Sequence, residues 1–305
     1  MELLAGFLDA AVRATLPLLF ASSGEMLSQR AGVVNVGLEG AMIAGSLAAA
    51  IVAGASGVAS GYGAGVLAGA SVGAVMALFA IGLRANQILC GAAVTAGGLG
   101  LTALLSQAWF GTGGAALSVP VSAPMPVPIL SDIPLAGRAL FAQPPIAWVA
   151  YGLVPVLWWW LMNTRHGLTW RATGENPSAV LASGWSPARI QCAAVIVGSA
   201  LGGLGGATLV LAQAGTYAEG MTAGRGFIAL AVVALGRWHP FGVAGAALLF
   251  GASSSLQYLL QALGTAIPYQ VFLTLPYVLT LAVLAVTGRA GEPAWLARPL
   301  SREIS

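Results

Sequence analysis

The sequence predicts an all-α polytopic integral membrane protein. It would have about eight membrane-crossing helices, one of them short or broken, plus an N-terminal, partly amphipathic segment. Three observations carry this. Of the 305 residues, 58% are hydrophobic and 7% are charged, where a soluble domain carries about 25% charged residues. Apolar runs of the roughly 20 residues a bilayer crossing needs recur along the whole chain. Glycines repeat every four positions inside those runs, as Gly65, Gly69 and Gly73 and again as Gly198, Gly202 and Gly206. That spacing puts them on one helix face, where a second helix can approach closely.

Taken in order, residues 3–27 open amphipathically, with Asp9 and Arg13 four apart, and then turn apolar. The expectation is a segment lying partly in the membrane interface. No cleavable signal sequence is expected, because the start lacks a basic region. Spans are expected over 37–54, 63–83, 86–108, 146–162, 191–213, 241–262 and 269–288. The stretch 226–236 is too short for an upright crossing and is either a broken helix or a re-entrant piece. All twelve basic residues are Arg. With the loop 163–190 inside and 226–236 counted as a crossing, nine of them fall inside and only Arg138 and Arg225 outside. This positive-inside bias favours the crossing and a cytoplasmic C-terminus. The N-terminal topology stays open.

The whole chain, 1–305, reads as a single transmembrane domain with two notable loops. Residues 109–145 form an external loop with seven prolines, expected to be extended and ordered by docking because proline fixes φ and lacks an N–H. Residues 163–190 form an internal loop with a short helix from Pro177 to Ser183. Asn176 would cap it, Pro177 suits its first position and Gly184 its end. Trp158, Trp159 and Trp160 just before this loop read as an interfacial aromatic belt.

Enzyme chemistry is not expected. The chain has two histidines far apart in sequence, no hydrolase or metalloprotease motif, no Walker A sequence and no Lys to build one. Cys90 and Cys192 lie in apolar runs and read as packing residues, with no disulfide, metal site or cofactor implied. A formal charge of +3 with scattered basic residues argues against a nucleic-acid partner. His166 beside Arg165 reads as a headgroup or partner contact. The polar residues at the spans carry more information. Asn35 and Glu39, in RAGVVNVGLEG (30–40), are four apart, with Gly32, Gly37 and Gly40 allowing a break. Glu39 is either structural, bonded to backbone amides at that break or paired with Arg30, or it shapes a polar path. Asn86 and Gln87 open another span. Gln257 and Gln261 share a face and read as interhelical hydrogen-bonding groups.

Three stretches then become decisive: LSQRAGVVNVGLEGAMIAGSLAA (27–49), ANQILCGAAVTAGGLGLT (85–102) and TAGRGFIALAVVALGRWHPFGVAGAALLFG (222–251), with TGENPSAVLASG (173–184) beside them. Together they resemble the permease subunits of ABC importers of the branched-chain amino acid and ribose type. The likeness is greatest to permeases that work with basic-membrane-type lipoproteins in nucleoside uptake. It implies an import permease in the inner membrane of a bacterial cell, moving a small polar solute, most simply a nucleoside, by alternating access. A sugar, or a flavin or other heterocycle, is the alternative, and a secondary transporter is the rival outside the family. It implies three partners besides the bilayer and the substrate. These are a separate ATPase subunit that hydrolyses ATP, a second permease subunit and an extracytoplasmic substrate-binding protein. By the same likeness Asn35, Glu39, Asn86 and Gln87 line or organise the translocation path. Arg171, Glu175, Asn176 and Ser178 contact the ATPase from a coupling helix in 163–190. Gln29 stands where relatives often carry an acidic residue, which removes a local partner for Arg30.

Overall fold

The computed structural model describes residues 2–111, 117–128, 130, 131, 133, 136–262, 271, 274, 278, 282 and 291–298. The expected span 269–288 lies almost wholly outside them, as does most of the Gly111–Ala116 run.

Seven described helices are long and apolar enough to cross a membrane. They are α1 (Glu2–Arg30), α2 (Leu38–Ser56), α3 (Val58–Ala77, prolonged by a π-helical turn to Gly82), α4 (Gln87–Phe110), α6 (Pro145–Asn163), α9 (Pro187–Thr208, prolonged by a π-helical turn to Ala214) and α11 (Pro240–Ala262). Four short helices complete the set: α5 (Ala136–Phe141), α7 (Arg165–Glu175), α8 (Pro177–Ala182) and α10 (Arg225–Leu235). A two-residue antiparallel bridge pairs β1 (Leu117–Ser118) with β2 (Thr216–Tyr217). Local sequence explains several starts. Thr164 accepts from the Gly167 N–H at α7, and Ser186 caps α9 ahead of Pro187 at its first position.

The N-terminal segment, amphipathic at its start, forms one helix of spanning length packed into the bundle. Asp9 and Arg13 form an i,i+4 pair at 3.3 Å, and Gln143 Nε2 donates to Asp9 at 2.6 Å. With its charges thus partnered, α1 packs Leu16, Phe20 and Met26 into the main core.

The centre of the bundle is α9, packed against α1, α2 and α3. Its side toward α3 carries Ser199 and Gly203, facing Gly65, Gly69 and Gly73. A Cβ placed on Gly203 would come within 2.8 Å of the Gly69 Cα, with the Gly65 carbonyl nearer still. Gly198 abuts Gly24 of α1, and Gly206 abuts Met42 of α2. Without side chains in the way, backbones meet at distances where dispersion holds helices together in a medium as apolar as their own surfaces. Large apolar residues point the other way: Leu67, Leu89, Leu101, Leu104, Val156 and Trp159 are all exposed.

The two ends of the bundle follow from contacts along α1 and α9. Gln191, near the start of α9, donates to the Ala31 carbonyl at 3.1 Å. Gln213, near its end, donates to the Arg13 carbonyl. Residues 216–238 run between these ends, since β2 follows Gln213 while the Trp238 indole N–H donates to Gln29 at 2.7 Å. The stretch 226–236 is therefore part of a broken crossing, half turn and half helix. The proline-rich loop is extended, as its prolines require. It docks on the end of α9 and the residues after it through Ser122 N to Leu211 O (2.7 Å) and Val119 N to Gly215 O (2.9 Å), Met125 N bonds Gln143 O (3.1 Å) within the loop, and α5 is its one helical interruption among the described residues.

Gly203→Val is expected to destabilise the detergent-solubilised protein by about 1–3 kcal/mol, or to prevent its accumulation, because nothing on α3 can yield. Gly63→Ala, where an added Cβ meets nothing within 4 Å, should leave the thermal midpoint unchanged or slightly raised. Equal melting of the two variants would overturn this packing account.

Candidate functional site

Inside the bundle two irregular segments meet. The first is 31–37, between α1 and α2. Gly32 has φ +92°, a conformation that favours glycine, and the chain then leaves the helical path. Its freed backbone groups are taken up by side chains, as non-helical backbone inside a membrane protein requires. Val34 N–H donates to Gln87 Oε1 at 3.0 Å, and Asn35 N–H to Glu25 Oε1 at 3.1 Å. The Val36 carbonyl accepts from Thr95 at 3.1 Å. The Asn35 side chain donates to Ser199 Oγ at 2.8 Å, which ties the break to α9.

The second segment is 218–224, leading into α10. Here Glu39, buried at the start of α2, reaches across. One carboxylate oxygen accepts from Thr222 Oγ1 (2.6 Å) and the Gly224 N–H (2.9 Å), and the other from the Gly226 N–H (2.6 Å). A carboxylate at a helix N-terminus satisfies amides that lack an intrahelical partner and meets the positive end of the helix dipole. Gly226 is needed for the approach, because a Cβ there would sit 2.6 Å from the Glu39 backbone nitrogen.

Below the break lies a second polar cluster. Gln29 donates to Glu25 Oε1 at 2.8 Å and accepts from the Trp238 indole. Arg30 Nε donates to the Trp238 carbonyl at 2.8 Å. Trp238 and Arg237 both have positive φ, +53° and +54°, so this turn after α10 is held in shape by its contacts with α1. Glu25 Oε2 and Asn35 Oδ1 are buried acceptors without a partner among the described residues.

At the same end of the bundle, α7 and α8 form an elbow. Asn176 accepts from the Ala179 N–H at 3.2 Å and so caps α8. Gly174 lies against the Arg30 carbonyl. Residues 291–298 close over this joint. Trp295 N donates to Gly174 O (2.8 Å), Ala297 N to Gly32 O (3.1 Å) and Ala294 N to Glu175 Oε2 (3.1 Å). Ser178 is exposed on α8, and Arg171 is half-buried with its Nε unbonded among the described residues. No three His, Cys, Asp or Glu side chains among the described residues come together as metal ligands would.

Residues 6–284 match the family described as the branched-chain amino acid transport system permease component. The chain belongs to this permease family. It is similar over nearly its whole length to individual permeases. A protein of Haloferax volcanii, provisionally named a glucose ABC transporter permease, is 35% identical over 98% of this chain and 96% of its own. The nucleoside ABC transporter permease of Lactococcus lactis subsp. cremoris is 34% identical over 91% and 90%. The guanosine ABC transporter permease of Bacillus subtilis is 33% identical over 91% and 90%. No solved structure matches this chain significantly.

In this permease Asn35, Glu39 and Gln87 come together at the break. Asn86 does not join them. It is exposed and its side chain accepts from Ile88 N (3.0 Å) and Leu89 N (3.2 Å), capping α4. Among the expected coupling residues, Glu175 and Asn176 spend their side chains within the chain, while Ser178 is exposed on α8. Glu25 was missed by the sequence reading, although an ionisable residue within an apolar run is the same signal that singled out Glu39. Gln29 is not a mere loss of charge: it bridges Glu25 to Trp238, and Arg30 takes a backbone carbonyl as partner.

Glu39→Gln is expected to cost about 2 kcal/mol, because its amide group would set a donor against a backbone donor and the charge at the helix end is lost. Asn86→Ala should cost about 1 kcal/mol, the usual value of a cap. Thermal unfolding of the purified permease compares them, and an unchanged midpoint for Glu39→Gln would remove the clip from this account.

Proposed function

We propose that this chain is the membrane-spanning subunit of an ATP-driven ABC importer and that its cargo is a nucleoside. The observation that carries the reading is the state of the break. The positive end of α10 is capped by the chain's own Glu39, and the other side chains bonded at the break are the amides and hydroxyls of Asn35, Gln87, Thr95 and Ser199, with the Glu25 carboxyl group accepting from the Asn35 N–H. Such groups suit a neutral, polyhydroxylated solute and give an anionic one no free cationic partner there. The names of the Lactococcus and Bacillus relatives support nucleosides. The Haloferax relative favours a second reading, a simple sugar, whose chemistry the same groups would serve.

On this reading the elbow of α7 and α8 is the face that a separate ATPase subunit pushes. Arg30, Arg84, Arg165, Arg171, Arg189, Arg237 and Arg298 belong to the end of the bundle that carries this elbow. Their number supports a cytoplasmic elbow and a cytoplasmic C-terminus in a bacterial inner membrane. The 109–145 loop would then be external, facing a substrate-binding protein. A second permease subunit would complete the path, and rocking of the two against each other would alternate access. Asn35, Glu39 and Gln87 would shape that path, Asn86 only through α4. Arg171, Glu175 and Asn176 would hold the elbow in shape, while Ser178 would touch the ATPase.

Labelled nucleoside uptake should depend on this gene and be reduced by unlabelled nucleosides but not by sugars, amino acids or riboflavin. Gene-dependent uptake blocked by sugars instead would transfer the assignment to the second reading. Ser178→Trp leaves the α8 cap intact and should lower substrate-stimulated ATPase activity of the assembled complex about tenfold at unchanged membrane yield. Full stimulation in that variant would refute α8 as the docking element.

A further inference from the structure

We propose that the cavity between α6, α7, α8 and α9 is a binding site for an anionic phospholipid. The cavity holds about 680 Å³ and is lined by Trp160, His166, Thr169, Trp185, Ser186 and Arg189, among others. No Asp or Glu lines it. Its chemistry is divided along its length. Toward the loop end, Arg189 brings a full positive charge. Beside it the Ser186 hydroxyl accepts from the Arg189 N–H at 3.4 Å, which leaves its own proton free to donate. His166 stands edge-on to Trp185, ring centroids 5.7 Å apart. Toward the bundle, Trp160, Ile190 and Ala193 form an apolar wall. Trp160 is braced edge-on by Trp170 at 5.1 Å, whose indole N–H donates to the Leu27 carbonyl at 2.8 Å.

Trp160 belongs to α6, and Ile190 and Ala193 to α9, within stretches long and apolar enough to cross the membrane. The cavity therefore runs from the loop end onto the spanning helices α6 and α9. A phospholipid matches both halves. Its phosphate can take the guanidinium and hydroxyl donors, and its acyl chain can lie along the indoles and aliphatic side chains. Basic pockets between helices, with indoles at headgroup level, are where anionic headgroups are retained. The site is separate from the break at 31–37, and its occupancy is read independently of transport.

The test is lipid retention by the assembled transporter in nanodiscs of phosphatidylcholine doped with phosphatidylglycerol, with bound lipid counted by native mass spectrometry. Wild type should retain phosphatidylglycerol over phosphatidylcholine. Arg189→Gln should lower that preference about fivefold. Arg165→Gln, a nearby exposed arginine that does not line the cavity, should leave it unchanged. Ala193→Trp keeps every charge but fills the apolar half, and it should also displace the lipid, so the proposal stays testable if one variant folds poorly. Equal retention by wild type and Arg189→Gln would overturn the site and leave the cavity to a protein partner. Equal loss in Arg165→Gln would reduce the effect to general surface charge. Displacement of the lipid by inorganic phosphate would show that a free anion suffices, and would overturn the lipid assignment.

Discussion

Everything near the middle of this permease depends on one constraint: backbone that leaves the helical path at membrane depth must find hydrogen-bond partners within the protein. Two segments leave that path, 31–37 and 218–224, and one carboxylate serves the second of them. Glu39 stands at the first turn of α2 and closes the open end of α10, 183 to 187 residues away in sequence. Its desolvation is offset by three donors, two of them amides at a helix end whose alternative would be no partner at all. The clip also fixes α2 relative to α10, so the two segments are mechanically one feature.

Around this feature the bundle divides into parts that are tightly joined and parts that are joined by few bonds. Helices α1, α2, α3 and α9 meet backbone to backbone through glycines and serines, with hydroxyls such as Ser46 bonding both its own helix and the Gly206 carbonyl. Such contacts tolerate little sliding, because packed interfaces yield in discrete steps. Helix α4 is different: it meets the break at Gly91, against Val36 and Gly37, and α2 at Gly98, against Gly40, yet keeps most of its surface outward. An element held on one narrow face can move as a body without opening the core.

Much of this was legible in the chain. Six expected spans appear as helices within a few residues of their predicted limits, since apolar length is read directly from composition. The cap, first residue and end of α8 were legible too, because Asn176, Pro177 and Gly184 act on their immediate neighbours. What was not legible depends on partners remote in sequence. The early charges of α1 read as amphipathic, and nothing near them in sequence shows that Asp9 is bonded by Gln143, 134 residues on. Asn86 and Gln87 are adjacent and chemically alike. One caps its own helix and the other holds the break, and only the third dimension separates them. Glu39 left two readings open. Its backbone-capping geometry now stands, and a share in shaping the path belongs to the functional proposal.

The joint at the loop end joins these parts. Gly174, in the last turn of α7, packs against the Arg30 carbonyl, and residues 291–298 bind Gly174, Glu175 and Gly32 at once. The elbow thus packs against the last residue of α1, and residues 291–298 link it to Gly32, the positive-φ residue of the break. From there Asn35 leads to Ser199 in the core and Glu39 to α10. A displacement of α7 would therefore reach the break through backbone contacts, with no long flexible side chain between them. Helices α7 and α8 also pack on α9, so on the proposed reading a force entering at α8 would reach both the break and the glycine-packed core, and the core, with its backbones in contact, is the part that yields least.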